Sequence, residues 1–151
     1  MKIISLAFKN GEKIPAKYTC DGENTGPPLE ISDIPEGAQS LVLIMDDPDA
    51  PGKTWDHWIV FNISLKLEAR SLKLVIREGK KLDGIGGKNS WGKTGYGGPC
   101  PHSDTHRYFF KAYVLDSELD LPEGSGKEEI EESMKGHIIS QAELIGLYER
   151  Q

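Results

Sequence analysis

Apolar residues fall in short runs along this chain: Ile3 to Phe8, Ser40 to Met45, Trp58 to Ile63, Leu72 to Ile76 and Tyr108 to Leu115. Turn formers bound each run, as in Asn10-Gly11, Pro27-Pro28, Pro35-Glu36-Gly37 and Asp47-Pro48-Asp49-Ala50-Pro51-Gly52. Runs of this length punctuated by Gly, Pro, Asn and Asp predict β-strands. No helix-length repeat separates them, so the series predicts a mainly β fold, an antiparallel sandwich or barrel, and not a βαβ series.

The end of the chain reads differently. From Lys127 to Arg150, apolar residues recur at Ile130, Met134, Ile138, Ala142, Ile145 and Tyr148, which is a helical stripe. Ser125 with Glu128 three residues later has the form of a capping box. Glu128, Glu129, Glu131 and Glu132 then sit near the positive end of the helix dipole. A C-terminal helix is therefore expected, with Gly136 as the point where it would break or kink.

Eight of the twenty residues from Gly79 to Gly98 are glycine. A loop that long in a compact domain is more often functional than a mere connection.

With 151 residues the chain fits one domain, residues 1–151, large enough to bury a core without a metal or disulfide staple. No apolar run reaches membrane-spanning length, and the opening Met1-Lys2-Ile3-Ile4-Ser5-Leu6-Ala7-Phe8-Lys9 is too short and too soon charged for a secretory signal, so a cytoplasmic protein is expected. The net charge of −6 recruits neither nucleic acid nor an anionic membrane. Residues 116–151 hold ten acidic and three basic side chains, and the proposed helix start accounts for much of that excess. Two cysteines, Cys20 and Cys100, make neither a disulfide framework nor a zinc site, and each reads as a small buried hydrophobe, with pairing left open.

Several chemical motifs compete. Gly87-Lys88-Asn89-Ser90-Trp91-Gly92-Lys93-Thr94 matches a phosphate-cradling loop, but such a loop needs a strand before it and a helix after it. Here a glycine-rich stretch precedes and Gly95-Tyr96-Gly97-Gly98-Pro99 follows. Cys100 near His102, Asp104 and His106 could form a nucleophilic set, although Pro99 and Pro101 flank it with a rigid turn. Asp47, Asp49, His57 and His106 are plausible metal ligand types without a known ligand spacing. Their common feature is position: Asp47 and Asp49 end one predicted strand, His57 starts the next, and His106 opens a third.

Read in order, Asp47-Pro48-Asp49-Ala50-Pro51, His57-Trp58, Gly97-Gly98-Pro99-Cys100-Pro101 and His106-Arg107-Tyr108 resemble the phosphatidylethanolamine-binding protein family, in its bacterial and archaeal, Raf kinase inhibitor-like branch. The likeness extends from Ile14-Pro15 and Tyr18-Thr19-Cys20-Asp21-Gly22 through Pro27-Pro28-Leu29 to Gly136-His137 and Ala142 to Tyr148. It implies a β-sandwich with a few peripheral helices and a small anion pocket built from Asp47, Asp49, Trp55, His57, Gly98, Pro99, His106 and Tyr108. Imidazole, phenol and loop N–H groups can hold a phosphoryl or carboxylate group without a cluster of lysines, and the aspartates would orient the histidines. His102-Ser103-Asp104 and Ile31 depart from the family pattern, the first at the pocket rim and the second in packing. His102 is expected to be an exposed loop residue, His137 a hydrogen-bonded residue packed on the helix stripe, and Arg107 structural.

The resulting expectation is a binding, regulatory or inhibitory module for a small anion such as phosphate, a phosphorylated group or a phospholipid head group, and not an enzyme. No cofactor, no metal and no catalytic residue is assigned. A kinase or protease as protein partner and a homodimer are implied by resemblance alone. The rival readings are a metal-dependent hydrolase using Asp47, Asp49, His57 and His106, and a protease inhibitor acting through a surface segment.

Overall fold

The computed structural model describes residues 1–65 and 73–151. In chain order the elements are β1 (Lys2–Ile4), a short 3-10 turn at Ala16–Tyr18, β2 (Leu29–Ser32), β3 (Ser40–Asp47), β4 (Trp55–Ile63), β5 (Leu74–Ile76), β6 (Ile85–Gly86), β7 (His106–Leu115), α1 (Lys127–Met134) and β8 (Ile138–Tyr148). They form a three-stranded sheet, β1-β2-β5, and a five-stranded sheet, β6-β4-β3-β7-β8, both antiparallel.

The larger sheet is covered on both faces. Leu41, Leu43 and Met45 of β3 join Val60, Tyr108, Phe110 and Leu144 against Ile3, Leu29, Ile31 and Ile76 of the smaller sheet. Val42 and Ile44 point the other way, to Ile59, Phe61, Ile130 and Met134. This explains why β3 is buried along its whole length and shows no alternation of polar residues. Each such fully buried aliphatic side chain contributes about 1.5–3 kcal/mol.

Two expectations about the elements are corrected. The first run stops being a strand at Ile4, because the Ser5 hydroxyl accepts the Ala7 N–H and turns the chain. The C-terminal helix is only α1, and the rest of its supposed length is the edge strand β8. Gly136 separates the two with φ +80, a conformation that reverses the chain and that residues with a Cβ adopt at a cost. Beyond it Leu144, Gly146 and Tyr148 face the core at a period of two, opposite Phe110, Tyr108 and His106 of β7. Ala142 and Tyr148 of the helical stripe also share a strand face, whereas Ile145 falls on the opposite one.

The helix also starts one residue later than expected. Gly126 is its N-cap, with its N–H 3.4 Å from Glu129 Oε1, while the Ser125 hydroxyl donates to Pro122 O at 2.7 Å. Lys127 fastens the helix to the sheet through Asp46 Oδ2 at 3.2 Å and Asp56 Oδ1 at 2.8 Å. Among the described residues no helix is long and apolar enough to cross a membrane. Leu72, the start of the fourth expected run, lies outside the described residues.

Replacing Gly136 by Ala is expected to cost about 1–2 kcal/mol, the penalty of a left-handed conformation, since a Cβ there meets nothing within 4 Å. Chemical denaturation measures it, and an unchanged midpoint would show that the turn does not need glycine.

Candidate functional site

The ladder between β3 and β4 pairs Met45 with Trp58 and Asp46 with Asp56, so His57 is an extra residue opposite no partner. Such a bulge re-aims side chains. Asp56 turns toward Lys127 on the helix side, whereas both His57 and Trp58 turn toward the layer between the sheets.

His57 is secured twice by one loop residue. Its Nδ1 lies 2.7 Å from Gly97 O, and its own carbonyl accepts the Gly97 N–H at 3.0 Å. A carbonyl can only accept, so Nδ1 carries the proton and Nε2 is left with its lone pair. Burial lowers the His57 pKa from its ordinary value and is the largest influence, opposed by the Gly97 carbonyl and by Asp47. The ring meets Trp91 and Tyr108 edge to face, with centroids 5.1 and 5.2 Å away.

The second imidazole is held by a carboxylate. His106 Nδ1 lies 2.7 Å from Asp47 Oδ2, in a buried pair at the adjoining ends of β7 and β3. Asp47 Oδ1 meanwhile accepts the Asp49 N–H at 2.8 Å, so both oxygens of Asp47 are engaged. Tyr108 lies beneath, its ring stacked on His106 at 6.4 Å, and burial pushes its hydroxyl pKa far up.

Asp49 is turned aside. Its Oδ2 accepts from both the backbone N and Nε of Arg107 at 2.9 Å, its Oδ1 accepts from Nη2 at 2.8 Å, and this fork lowers its pKa to about 2.

These groups border a cavity of about 380 Å³. Of the eight residues expected from sequence, Asp47, Trp55, His57, His106 and Tyr108 line it. Asp49, Gly98 and Pro99 are not among the residues that line it. The Gly98 N–H donates to Asn24 Oδ1 at 2.8 Å, and a side chain at Gly98 would strike Tyr18 O, so only glycine allows this approach. Pro99 O accepts the Cys20 N–H at 3.1 Å.

Sequence reasoning missed Ala50, Pro51, Trp91, Cys100 and Pro101 on the wall, and left His102, exposed but bordering the opening, outside its set. Trp91 is brought there by the segment that mimics a phosphate loop. Asn89 Oδ1 accepts the N–H groups of Trp91 and Lys93 at 3.0 and 3.1 Å, closing a turn on itself, and no helix follows. Trp91 then meets Trp55 edge to face at 5.6 Å.

Cys20 and Cys100 are joined in a disulfide across 80 residues, which closes the question of pairing left open above, replaces the reading of each as a small buried hydrophobe, and removes Cys100 as a free nucleophile. Chain entropy gives a closure of that span about 4–5 kcal/mol. His137 is hydrogen-bonded as expected, with Nδ1 2.8 Å from Asp116 Oδ1, but it is exposed and lies beyond α1 and is not packed on a helix stripe. The metal set of the rival hydrolase reading does not converge, since Asp49 faces Arg107, and among the described residues no group of three or more His, Cys, Asp or Glu could hold a metal ion.

The sequence profile described as phosphatidylethanolamine-binding protein matches residues 4–149. The chain belongs to the phosphatidylethanolamine-binding protein family. A UPF0098 protein of Methanothermobacter thermautotrophicus is 49% identical, with 99% of each chain covered. One from Pyrococcus abyssi is also 49% identical over 97% of this chain and 84% of its own length. Among solved structures, a phosphatidylethanolamine-binding protein homologue from Chlamydia trachomatis superposes with a TM-score of 0.92 at 44% identity, covering 99% of this chain and 97% of the other. E. coli YbcL, described as a member of the mammalian family, gives 0.87 at 29% identity, covering 99% and 98%.

In this family member the buried His57 gives stability a pH dependence of definite sign. Its lowered pKa means that the unfolded chain takes up a proton as pH falls through about 6.5 while the folded chain resists until lower pH. This contribution is complete above that value and is lost on acidification. Denaturation at pH 7.5 and 5.5 should show a smaller pH loss in His57→Gln than in the wild type; equal losses would show that His57 titrates alike in both states.

Proposed function

We propose that the His57–His106 cavity binds a small anion, a phosphate or the phosphoryl group of a phosphorylated or lipid head group, and binds it together with a proton. The observation that carries this reading is the commitment of both Nδ1 atoms to protein acceptors, Gly97 O and Asp47 Oδ2, beside a cavity of head-group size. A neutral ring protonated at Nδ1 offers an acceptor at Nε2, and an acceptor repels an anion. Binding therefore requires a proton either on an imidazole Nε2 or on the phosphoryl oxygen facing it.

Asp47 supports the reading in a particular way. Asp47 stands on the wall with both oxygens engaged, one by His106 and one by the Asp49 N–H, so its hydrogen bonds go to holding the ring and the turn in place. Asp49 is neutralised by Arg107 in the same manner. The family name adds the phospholipid head group as a candidate source of the phosphoryl group.

Asp47→Asn is expected to weaken phosphate binding by about 1–2 kcal/mol, because His106 loses its charged partner. Removing a bare negative charge would do the opposite, so a tighter complex in an NMR or calorimetric titration contradicts the orienting role. Absence of saturable phosphate binding to the wild type contradicts the function itself. Sulfate, whose charge is constant between pH 8 and 6, should bind more tightly as pH falls, with net proton uptake when titrated in buffers of different ionisation enthalpy. A flat profile would remove the histidines from the binding step.

A further inference from the structure

His57 and Trp58 are consecutive residues, yet they open onto different cavities. The one beside Trp58 measures about 540 Å³ and shares none of its described wall residues with the first. Its floor is apolar, formed by Trp58, Val60, Leu82 and Tyr96, and its rim carries the exposed Lys80 and Lys81.

We propose that this second cavity is a binding site for a small molecule with a flat apolar body and one anionic group. The Trp58 and Tyr96 rings stand at 87° with centroids 5.2 Å apart, forming an aromatic corner. The Tyr96 hydroxyl donates to Tyr18 O at 2.6 Å, so the corner presents ring surface and not a polar handle. Gly26 leaves it uncovered: a Cβ at that position would lie 3.5 Å from Trp58 and 3.8 Å from Tyr96, in ordinary contact. The volume suits a compact ligand, and apolar walls with a few charged groups at the mouth are the usual makeup of such sites. Among the described rim residues Lys80 and Lys81 outnumber the acid Glu123, so an anionic group is matched there and a cationic one is not.

The glycine-rich loop runs between the two cavities, giving Trp91 to the first and Tyr96 to the second. A test must therefore separate them, and 2-naphthoate is a suitable probe, with neutral 2-naphthamide as its control. In amide NMR titrations, 2-naphthoate should give saturable shifts centred on Trp58, Leu82 and Tyr96 that persist in excess inorganic phosphate. Its affinity should fall about tenfold in Lys80→Gln with Lys81→Gln, and the amide should bind about tenfold more weakly than the carboxylate. Gly26→Leu, which fills the corner from a position with room for a Cβ, should abolish binding while thermal unfolding stays cooperative. Equal affinity in either variant, shifts centred on Trp91 and His106, or no saturable response overturns the proposal.

Discussion

The site depends on one residue that the sheet leaves over. Because β3 and β4 match Met45 to Trp58 and Asp46 to Asp56, His57 has no place in the ladder and takes its hydrogen bonds from Gly97. That exchange fixes three things together. It aims the imidazole into the layer between the sheets, selects its tautomer, and ties the glycine-rich loop to β4 so that Trp91 and Tyr96 reach their positions. The disulfide from Cys20 to Cys100 and the Asn24–Gly98 bond hold the far side of the same loop.

The electrostatic arrangement follows from this scaffold. A chain of net charge −6 gains nothing from long-range attraction of anions. Any anion affinity must arise at short range, from directed donors and from protons taken up on binding. The carboxylates nearest the cavity are spent on Arg107, on a backbone N–H and on His106, which turns potential repulsion into support for the rings. Burial of His57 lowers its pKa and so disfavours the charged ring, against the pull of the Gly97 carbonyl and Asp47.

Much of this was legible in the sequence where a residue's role is local. The strand runs, the turn Asp47-Pro48-Asp49, and the histidines at strand ends follow from residue type and spacing, and the family resemblance joined them into a single pocket. Legibility failed where partners decide. Within residues 138–148, Ala142 and Tyr148 fit the helical stripe and a strand face alike, and pairing with β7 chose the strand; Gly136 was the available signal. The bulge at His57 is a property of register between two strands, and nothing in either strand alone announces it. Asp49 bears the right chemistry for the pocket but Arg107, dismissed as merely structural, claims both its oxygens. The pairing of Cys20 with Cys100 and the arrival of Trp91 are likewise contacts between distant segments.

The fold dictates which nitrogen of each imidazole faces the pocket. Long-range proton–nitrogen NMR of the imidazole rings, recorded as phosphate is added, tests it most directly. Both His57 and His106 should keep protonated Nδ1 atoms throughout, with the Nε2 resonances moving toward the protonated range as the site fills. Protonated Nε2 with a bare Nδ1 in the free protein, or Nε2 resonances indifferent to saturating phosphate, would contradict it.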